Sequence, residues 1–193
     1  MNTVVANTSA EIKRERPEGP LNNLAADAFA EVAKLHQIDF DFVHINYKSL
    51  RVPLPEGSIR VYKVFELLPY ENHLVTVKFS GTEVNSLFQY MASLGGDPVS
   101  GASFEITQGR AVRICINGEV LNLKRTYTVL TNDYMANGGD GALMYLNATG
   151  RKNHSLKQRD AFLEYLHLIN RKGVLIQPKI DGRVKSDKPI ADE

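Results

Sequence analysis

Two loops of this 193-residue chain carry side chains that could do chemistry. In residues 131–141, three glycines surround one carboxylate, Asp140, and Tyr134 lies six residues before it. Gly138 and Gly139 allow sharp turns and a close approach of backbone to ligand. A carboxylate at such a turn can accept hydrogen bonds from the two hydroxyls of a sugar diol. A plain structural turn stays open as the alternative, because Asn-Gly and Asp-Gly are ordinary turn dipeptides.

The second loop, residues 44–51, places an amide and a guanidinium five residues apart, at Asn46 and Arg51. The planar fork of an arginine suits a pair of anionic oxygens or a planar diol. A solvated loop with an ordinary surface arginine is the alternative here. Both loops directly follow a predicted strand, so the positions of those strands determine where the loops lie.

Metal and nucleophile motifs are missing from the sequence. None of the five histidines has a partner at helical zinc spacing with a carboxylate between, and the single cysteine, Cys115, cannot build a thiolate site. No P-loop, nucleophile elbow or dinucleotide glycine pattern occurs. By motif alone, the chain is not a self-sufficient enzyme of those classes.

The composition is that of an ordinary globular domain, with 43% hydrophobic and 23% charged residues. This excludes a disordered chain, a collagen-like chain and a coiled coil. The net charge is only +1, so the chain does not have the excess of basic residues that is typical of proteins that bind nucleic acid duplexes. No apolar run approaches 18 residues, so we expect no transmembrane segment.

Apolar periodicity predicts the first half of the fold. Residues 21–35 have helical spacing, and residues 40–45 form a short buried strand. Residues 61–68 form a short helix that Pro69 ends, because the residue before proline avoids the helical region. Residues 74–79 alternate with period two, which is typical of a strand.

The second half is predicted in the same way. Ser80 and Glu83 form a capping-box pattern ahead of an apolar helical stripe. Asn117-Gly118 marks a hairpin, residues 127–131 form a strand, and Ser155 with Gln158 is expected to cap a last helix. The order of elements is neither strict alternation nor all-β, so we predict an α+β fold with a mixed β-sheet and packed helices.

Several segments together resemble the C-terminal, substrate-binding domain of the 5'-nucleotidases. That family includes bacterial UDP-sugar hydrolases and animal ecto-5'-nucleotidases. Residues 17–28 are similar to the family's E-x-x-x-G-N-L-x-x-D-A opening, and residues 178–183 are similar to its closing segment. The most specific match is Asn-Gly-Gly-Asp-Gly at 137–141, preceded by Tyr134. We therefore expect a single domain of this type over residues 1–185, followed by a flexible tail over 186–193.

The resemblance implies roles for site residues. A base would be sandwiched between Tyr70, which follows a helix-ending proline, and Tyr134. Asp140 would bind the ribose hydroxyls, Asn46 would contact the base, and Arg51 would reach the sugar or phosphate.

The glycine-rich turn and a further arginine complete the implied site. Gly138 and Gly139 would bring bare backbone to the ligand, and the family arginine before the opening helix would be Arg16 or Arg14. The chain departs from the family at 47–49, where Tyr, Lys and Ser replace three glycines.

Family catalysis resides in a separate N-terminal metallophosphoesterase domain that holds two metal ions, and its ligand motifs are missing here. We therefore expect no catalytic residue and no cofactor in this chain, with divalent metals on the missing domain. The predicted function is nucleoside or nucleotide binding, with phosphoester hydrolysis by a separate metallophosphoesterase domain or protein, in nucleotide catabolism or salvage.

A nucleoside- or nucleotide-binding protein without any catalytic partner is the alternative, which the changed loop at 47–49 favours. A structural remnant is disfavoured, because a dead pocket has no physical need for Tyr70, Tyr134, Arg51 and Asp140 together. The resemblance implies a periplasmic or cell-surface location, and a cytoplasmic one stays open.

Overall fold

The computed structural model describes residues 1–191 and confirms the α+β class. The helices are α1 (Pro20–Leu35), α2 (Val61–Leu67), α3 (Gly81–Ser93), α4 (Asp133–Ala136) and α5 (Gln158–Arg171). The strands are β1 (Val4–Thr8), β2 (Phe42–His44), β3 (Gly57–Arg60), β4 (His73–Ser80), β5 (Val99–Ser100), β6 (Ala102–Thr107), β7 (Arg110–Ile116), β8 (Glu119–Val120), β9 (Thr126–Asn132), β10 (Thr149–Lys157) and β11 (Val184–Ser186).

The largest sheet has five strands in the order β10-β4-β9-β2-β5. Strand β9 lies at its centre, antiparallel to β4 and parallel to β2, so the sheet is mixed as predicted. Two smaller sheets flank it, one of β1 and β3 and one in the order β11-β6-β7-β8. Strand β11 runs parallel to β6, although about eighty residues separate them in the sequence.

The central sheet separates two apolar cores. Leu74 and Leu130 point to the core that contains α1 and α5, whereas their strand neighbours Val75 and Val129 point to the core that contains α3. This alternation follows from the period of two along a strand. Burial of apolar side chains on both faces, at about 25 cal/mol per Å² removed from water, supplies the main driving force for folding.

Local sequence signals place the helices as expected. α1 begins at Pro20, where proline's missing N–H costs nothing. α2 ends just ahead of Pro69. α3 begins with the predicted capping box: Ser80 Oγ accepts from the Glu83 N–H at 3.3 Å, and the Ser80 N–H donates to Glu83 Oε2 at 2.7 Å.

The predicted cap of the last helix is wrong. Ser155 lies within β10, and α5 begins after Lys157, whose side chain makes no capping hydrogen bond. β10 is an edge strand whose residues are mostly exposed and polar, so it lacks the apolar alternation that would have revealed it. β2 is also shorter than the predicted strand over 40–45.

The expected tail over 186–193 falls partly within the described residues. Ser186 is the last residue of β11, and the partly buried Ile190 packs against the core that contains α3. Side-chain packing therefore continues beyond the predicted boundary at residue 185, and residues 192–193 lie outside the described part. Within residues 1–191, no helix combines the length and apolar character needed to cross a membrane.

Candidate functional site

Three strand ends meet at one edge of the central sheet and position the predicted site. β2 and β9 are parallel, so Asn46 and Tyr134, which follow them, lie at the same edge. β4 is antiparallel to β9, which brings the residues that precede it, including Tyr70, to that edge as well. The resulting cleft has a volume of about 290 Å³. Its lining comprises Asn46, Lys48, Ser49, Arg51, Tyr70, Asn72, Tyr134 and Asp140.

Two tyrosine rings stand exposed in this cleft. Tyr70 is 58% exposed and Tyr134 is 44% exposed. Tyr70 directly follows Pro69, which ends α2, and Tyr134 lies in α4. The structure places both of the predicted tyrosines in the lining of one cleft.

The carboxylate of Asp140 is held by two donors. Asn46 Nδ2 donates to Asp140 Oδ2 at 2.8 Å, and the Tyr134 hydroxyl donates to Oδ1 at 3.1 Å. The Asp140 N–H lies 3.2 Å from the same hydroxyl oxygen. Arg51 lines the same cleft, but the described residues show no ion pair between it and Asp140.

The turn that presents Asp140 requires its glycines for two different reasons. Gly138 has φ of 82°, in the left-handed region that favours glycine. At Gly139 a Cβ atom would lie 2.5 Å from Cδ1 of the Tyr134 ring, far inside van der Waals contact. Asp140 itself has φ of 52°, a conformation that aspartate tolerates better than most residues. The Tyr90 hydroxyl, whose pKa is raised by burial, stays protonated and donates to the Asp140 carbonyl oxygen at 3.0 Å.

Buried amides behind the cleft hold Asn46 in place. Asn132 Nδ2 lies 3.1 Å from Asn46 Oδ1 and 3.2 Å from Gln158 Oε1. Asn132 Oδ1 accepts from the Met135 N–H at 2.9 Å and so caps α4. Sequence analysis missed this residue, although an Asn just before a short helix is a typical cap.

The changed loop at 47–49 folds into a single 3₁₀ turn. Ser49 Oγ donates to the Asn46 carbonyl oxygen at 2.7 Å, and the Tyr47 ring turns into the protein, where it is 2% exposed. Lys48 is exposed and lines the cleft. The side chains that replace the family's glycines therefore leave the cleft open and add one cation to it.

The predicted arginine before the first helix lies beside the cleft and is not part of its lining. The guanidinium carbons of Arg14 and Arg16 lie 4.6 Å and 4.4 Å from the centroid of the Tyr47 ring. Both contacts are cation–π interactions. Arg16 shares only a small hollow of about 30 Å³ with Asp140. The sequence could not reveal this, because Tyr47 creates the surface on which both arginines stack.

Asn72 is a lining residue that the sequence analysis did not identify. It is half-buried and lies two residues after Tyr70. In the described part of the chain its side-chain amide has no hydrogen-bond partner, and such an amide offers two N–H donors and one carbonyl oxygen acceptor. That pairing can read the edge of a base, as Asn and Gln amides do with adenine.

Residues 1–191 contain no group of three or more His, Cys, Asp or Glu side chains that could hold a metal ion. The arrangement can bind and orient a flat, hydroxylated and anionic ligand.

Comparisons with known proteins point to one family. The sequence model of the family described as "5'-nucleotidase, C-terminal domain" matches residues 3–147. The trifunctional nucleotide phosphoesterase protein YfkN of Bacillus subtilis is 26% identical over 184 residues, covering 87% of this chain and 12% of the relative. A 5'-nucleotidase of Vibrio cholerae is 22% identical over 167 residues, covering 84% of this chain and 30% of the relative. The chain thus spans less than a third of the length of each of these curated relatives.

Solved structures share the fold. A 5'-nucleotidase precursor from Thermus thermophilus superposes with a TM-score of 0.83 at 27% identity, over 97% of this chain and 40% of that one. The sulfate thiohydrolase SoxB from the same organism superposes with a TM-score of 0.69 at 15% identity, over 96% of this chain and 35% of that one. The second likeness shows the fold alone.

Proposed function

Because this chain belongs to the family of 5'-nucleotidase C-terminal domains, we propose that its cleft binds the nucleoside part of a nucleotide, with hydrolysis supplied elsewhere. The observation that carries the proposal is the convergence of two exposed tyrosines and one held carboxylate in a single cleft. A role in nucleotide catabolism or salvage follows from that reaction.

The base stacks between Tyr70 and Tyr134. Every base has a π face, so each stack contributes about 1–3 kcal/mol with little dependence on sequence. Asn46 already donates one N–H to Asp140 and keeps the other, and the Asn72 amide has no partner among the described residues. These two amides read the edge of the base.

The ribose binds at Asp140. A carboxylate has about four lone-pair positions, and the contacts from Asn46 and Tyr134 occupy two of them. The remaining positions accept hydrogen bonds from two vicinal hydroxyls. Lys48 and Arg51, the exposed cations of the cleft, attract the phosphate by charge.

Phosphoester hydrolysis belongs to a separate metallophosphoesterase domain or protein with two metal ions. When bound there, the ions activate water and stabilise the leaving oxygen. This chain supplies substrate binding and orientation only. We further propose a periplasmic or cell-surface location, as the resemblance implies.

Titration calorimetry with a panel of nucleosides and nucleotides tests the proposal, with and without divalent metal. We expect adenosine and AMP to bind weakly, and Tyr70→Ala and Tyr134→Ala each to weaken binding by about fivefold or more. Tyr62→Ala is the matched control, because Tyr62 is 42% exposed on α2 and lies outside the cleft lining.

Equal loss of affinity in the control and the cleft variants would overturn the stacking assignment. Absence of binding by every nucleoside and nucleotide would overturn the proposed function. If binding is retained but no metallophosphoesterase partner yields activity with this chain, the protein is a binding protein without catalysis.

A further inference from the structure

Three buried side chains, none of which lines the cleft, form a hydrogen-bonded chain next to it. His44 Nδ1 lies 2.8 Å from the Tyr145 hydroxyl oxygen, and His44 Nε2 lies 3.1 Å from Asp97 Oδ2. Asp97 Oδ1 in turn accepts from the Tyr47 backbone N–H at 3.2 Å. His44 is fully buried, and Asp97 and Tyr145 are each 2% exposed.

These contacts join the same two segments that form the ribose end of the cleft. At the solvent side, Asn46 donates to Asp140, a contact that we name the upper clasp. Beneath it, His44 meets Tyr145, a contact that we name the lower clasp. His44 lies two residues before Asn46, and Tyr145 lies five residues after Asp140. The two clasps therefore join residues 44–46 to residues 140–145 at two points.

Space filling alone does not explain the polar groups of the lower clasp. The Tyr145 ring packs edge-on against Phe79 with 5.1 Å between centroids, and its ring plane lies within 14° of the His44 ring plane. A phenyl ring would keep both of these ring contacts. The neighbours of His44 on either side, Val43 and Ile45, are apolar and fully buried. A buried polar pair is often no more stable than an apolar pair of the same shape, so stability is weak grounds for its presence.

A fully satisfied polar network does something that apolar packing does less well: it fixes one arrangement. With its Nε2 hydrogen donated to Asp97, the imidazole leaves Nδ1 to accept from the Tyr145 hydroxyl. Burial raises the pKa of Tyr145, so that hydroxyl remains a donor. Asp97 then spans from the imidazole to the Tyr47 N–H, which immediately follows Asn46.

We propose that His44, Asp97 and Tyr145 are positioning residues that fix the Asn46–Asp140 pair and thereby aim the Asp140 carboxylate at the ribose hydroxyls. The ligand half of this inference rests on the proposed function. The positioning half concerns the free protein and can be tested without any ligand.

The first test compares Tyr145→Phe with Tyr127→Phe. Tyr127 is also 2% exposed, and its hydroxyl accepts from the Asn122 N–H at 2.9 Å, outside the cleft lining. Each variant removes one buried hydroxyl and keeps the ring. We expect Tyr145→Phe to weaken adenosine binding about three- to tenfold and to leave 2',3'-dideoxyadenosine binding nearly unchanged. Tyr127→Phe should change neither, at a similar loss of thermal stability.

The second test is amide hydrogen exchange in the free protein. Loss of the lower clasp should speed exchange at the Tyr47 N–H by about tenfold in Tyr145→Phe, whereas Tyr127→Phe should leave it unchanged. Asp97→Asn keeps an oxygen for the Tyr47 N–H and should restore most of the protection that Asp97→Ala loses.

The outcomes separate the two proposals. If no nucleoside binds to wild type, the proposed function fails, and the exchange data alone decide the positioning role. Unchanged Tyr47 exchange in both Tyr145→Phe and Asp97→Ala would reject the positioning role. Equal losses for adenosine and the dideoxy ligand would reject the link to ribose recognition.

Discussion

The ring of Tyr134 lies so close to the backbone of Gly139 that no side chain fits between them. A Cβ atom at 139 would come within 2.5 Å of the ring, while the Tyr134 hydroxyl contacts both the carboxylate and the N–H of Asp140. One aromatic side chain is thus both a wall of the cleft and a support for the carboxylate beside it.

Gly139→Ala should displace this ring. We expect about a tenfold or greater loss of adenosine affinity, because the clash moves the stacking surface and the hydroxyl together. The control is Gly118→Ala in the β7–β8 hairpin, where φ is +81° and a Cβ meets nothing within 4 Å. Gly118→Ala should lower stability through backbone strain and leave affinity intact. Calorimetry measures the affinity of both variants, and thermal denaturation measures their melting temperatures. An unchanged affinity in Gly139→Ala would contradict the prediction.

The two tyrosines should respond differently to loss of their hydroxyls. Tyr134→Phe removes the donor to Asp140 and should weaken adenosine binding by about 0.5–1.5 kcal/mol. Tyr70→Phe should be nearly silent, because within the described residues the Tyr70 hydroxyl makes no hydrogen bond. Calorimetry on both variants measures the difference, and equal effects would mean that the Tyr134 hydroxyl does not support the site.

Asp140→Asn should discriminate between ligands. The substitution keeps the shape, but it weakens charge-assisted bonding to the ribose and places a second amide beside Asn46. We expect a loss of about 1–2 kcal/mol for adenosine and a much smaller loss for 2',3'-dideoxyadenosine. If Asp140 only closes the turn, the loss is the same for both ligands and the melting temperature falls. Calorimetry with both ligands, together with thermal denaturation, distinguishes these results.

The isolated chain should not hydrolyse AMP. No ligand set for a metal ion exists among residues 1–191, and two-metal hydrolysis needs such ligands. The assay is phosphate release from AMP with Mn²⁺, Zn²⁺ or Co²⁺. Turnover that survives further purification, and that Tyr134→Ala reduces, would contradict this prediction.

Acid should remove one specific stabilising contribution. Hydrogen bonding to Arg183 lowers the pKa of Asp181 to about 2, below an unfolded value of ~3.9. Since the folded pKa is the lower one, the contribution is present above pH ~4 and is lost as pH falls toward ~2. Urea denaturation should therefore show wild type more stable than Asp181→Asn at pH 7, with the gap closing below pH ~4. Asp39→Asn is the control, because Asp39 is exposed and makes no ion pair among the described residues.

Short-range signals made most of the fold predictable from sequence. The capping box at Ser80 and the helix-ending Pro69 act within a few residues, and each prediction is confirmed. β10 was not predicted, because its pattern is polar and its partner, β4, is some seventy-five residues away in the sequence. Strand pairing over that distance leaves no periodic trace in a polar edge strand.

For the site, the residues that meet in the cleft could be predicted from their motifs, but their mutual contacts could not. The distance from Asn46 to Asp140 depends on the packing of β2 beside β9. The position of Arg16 depends on the buried ring of Tyr47. Asn72 carries no sequence signal that marks it before the fold brings it to the cleft.

The late position of β10 and α5 in the chain has a consequence for biosynthesis. Phe162 on α5 lies 6.2 Å from Phe29 on α1, centroid to centroid, so the core beside α1 stays incomplete until the last quarter of the chain leaves the ribosome. Until then β4 presents an unpaired edge, which favours association with other chains. We therefore expect nascent chains that stop near residue 147 to depend on chaperones, whereas chains that extend through α5 and β11 should depend on them much less.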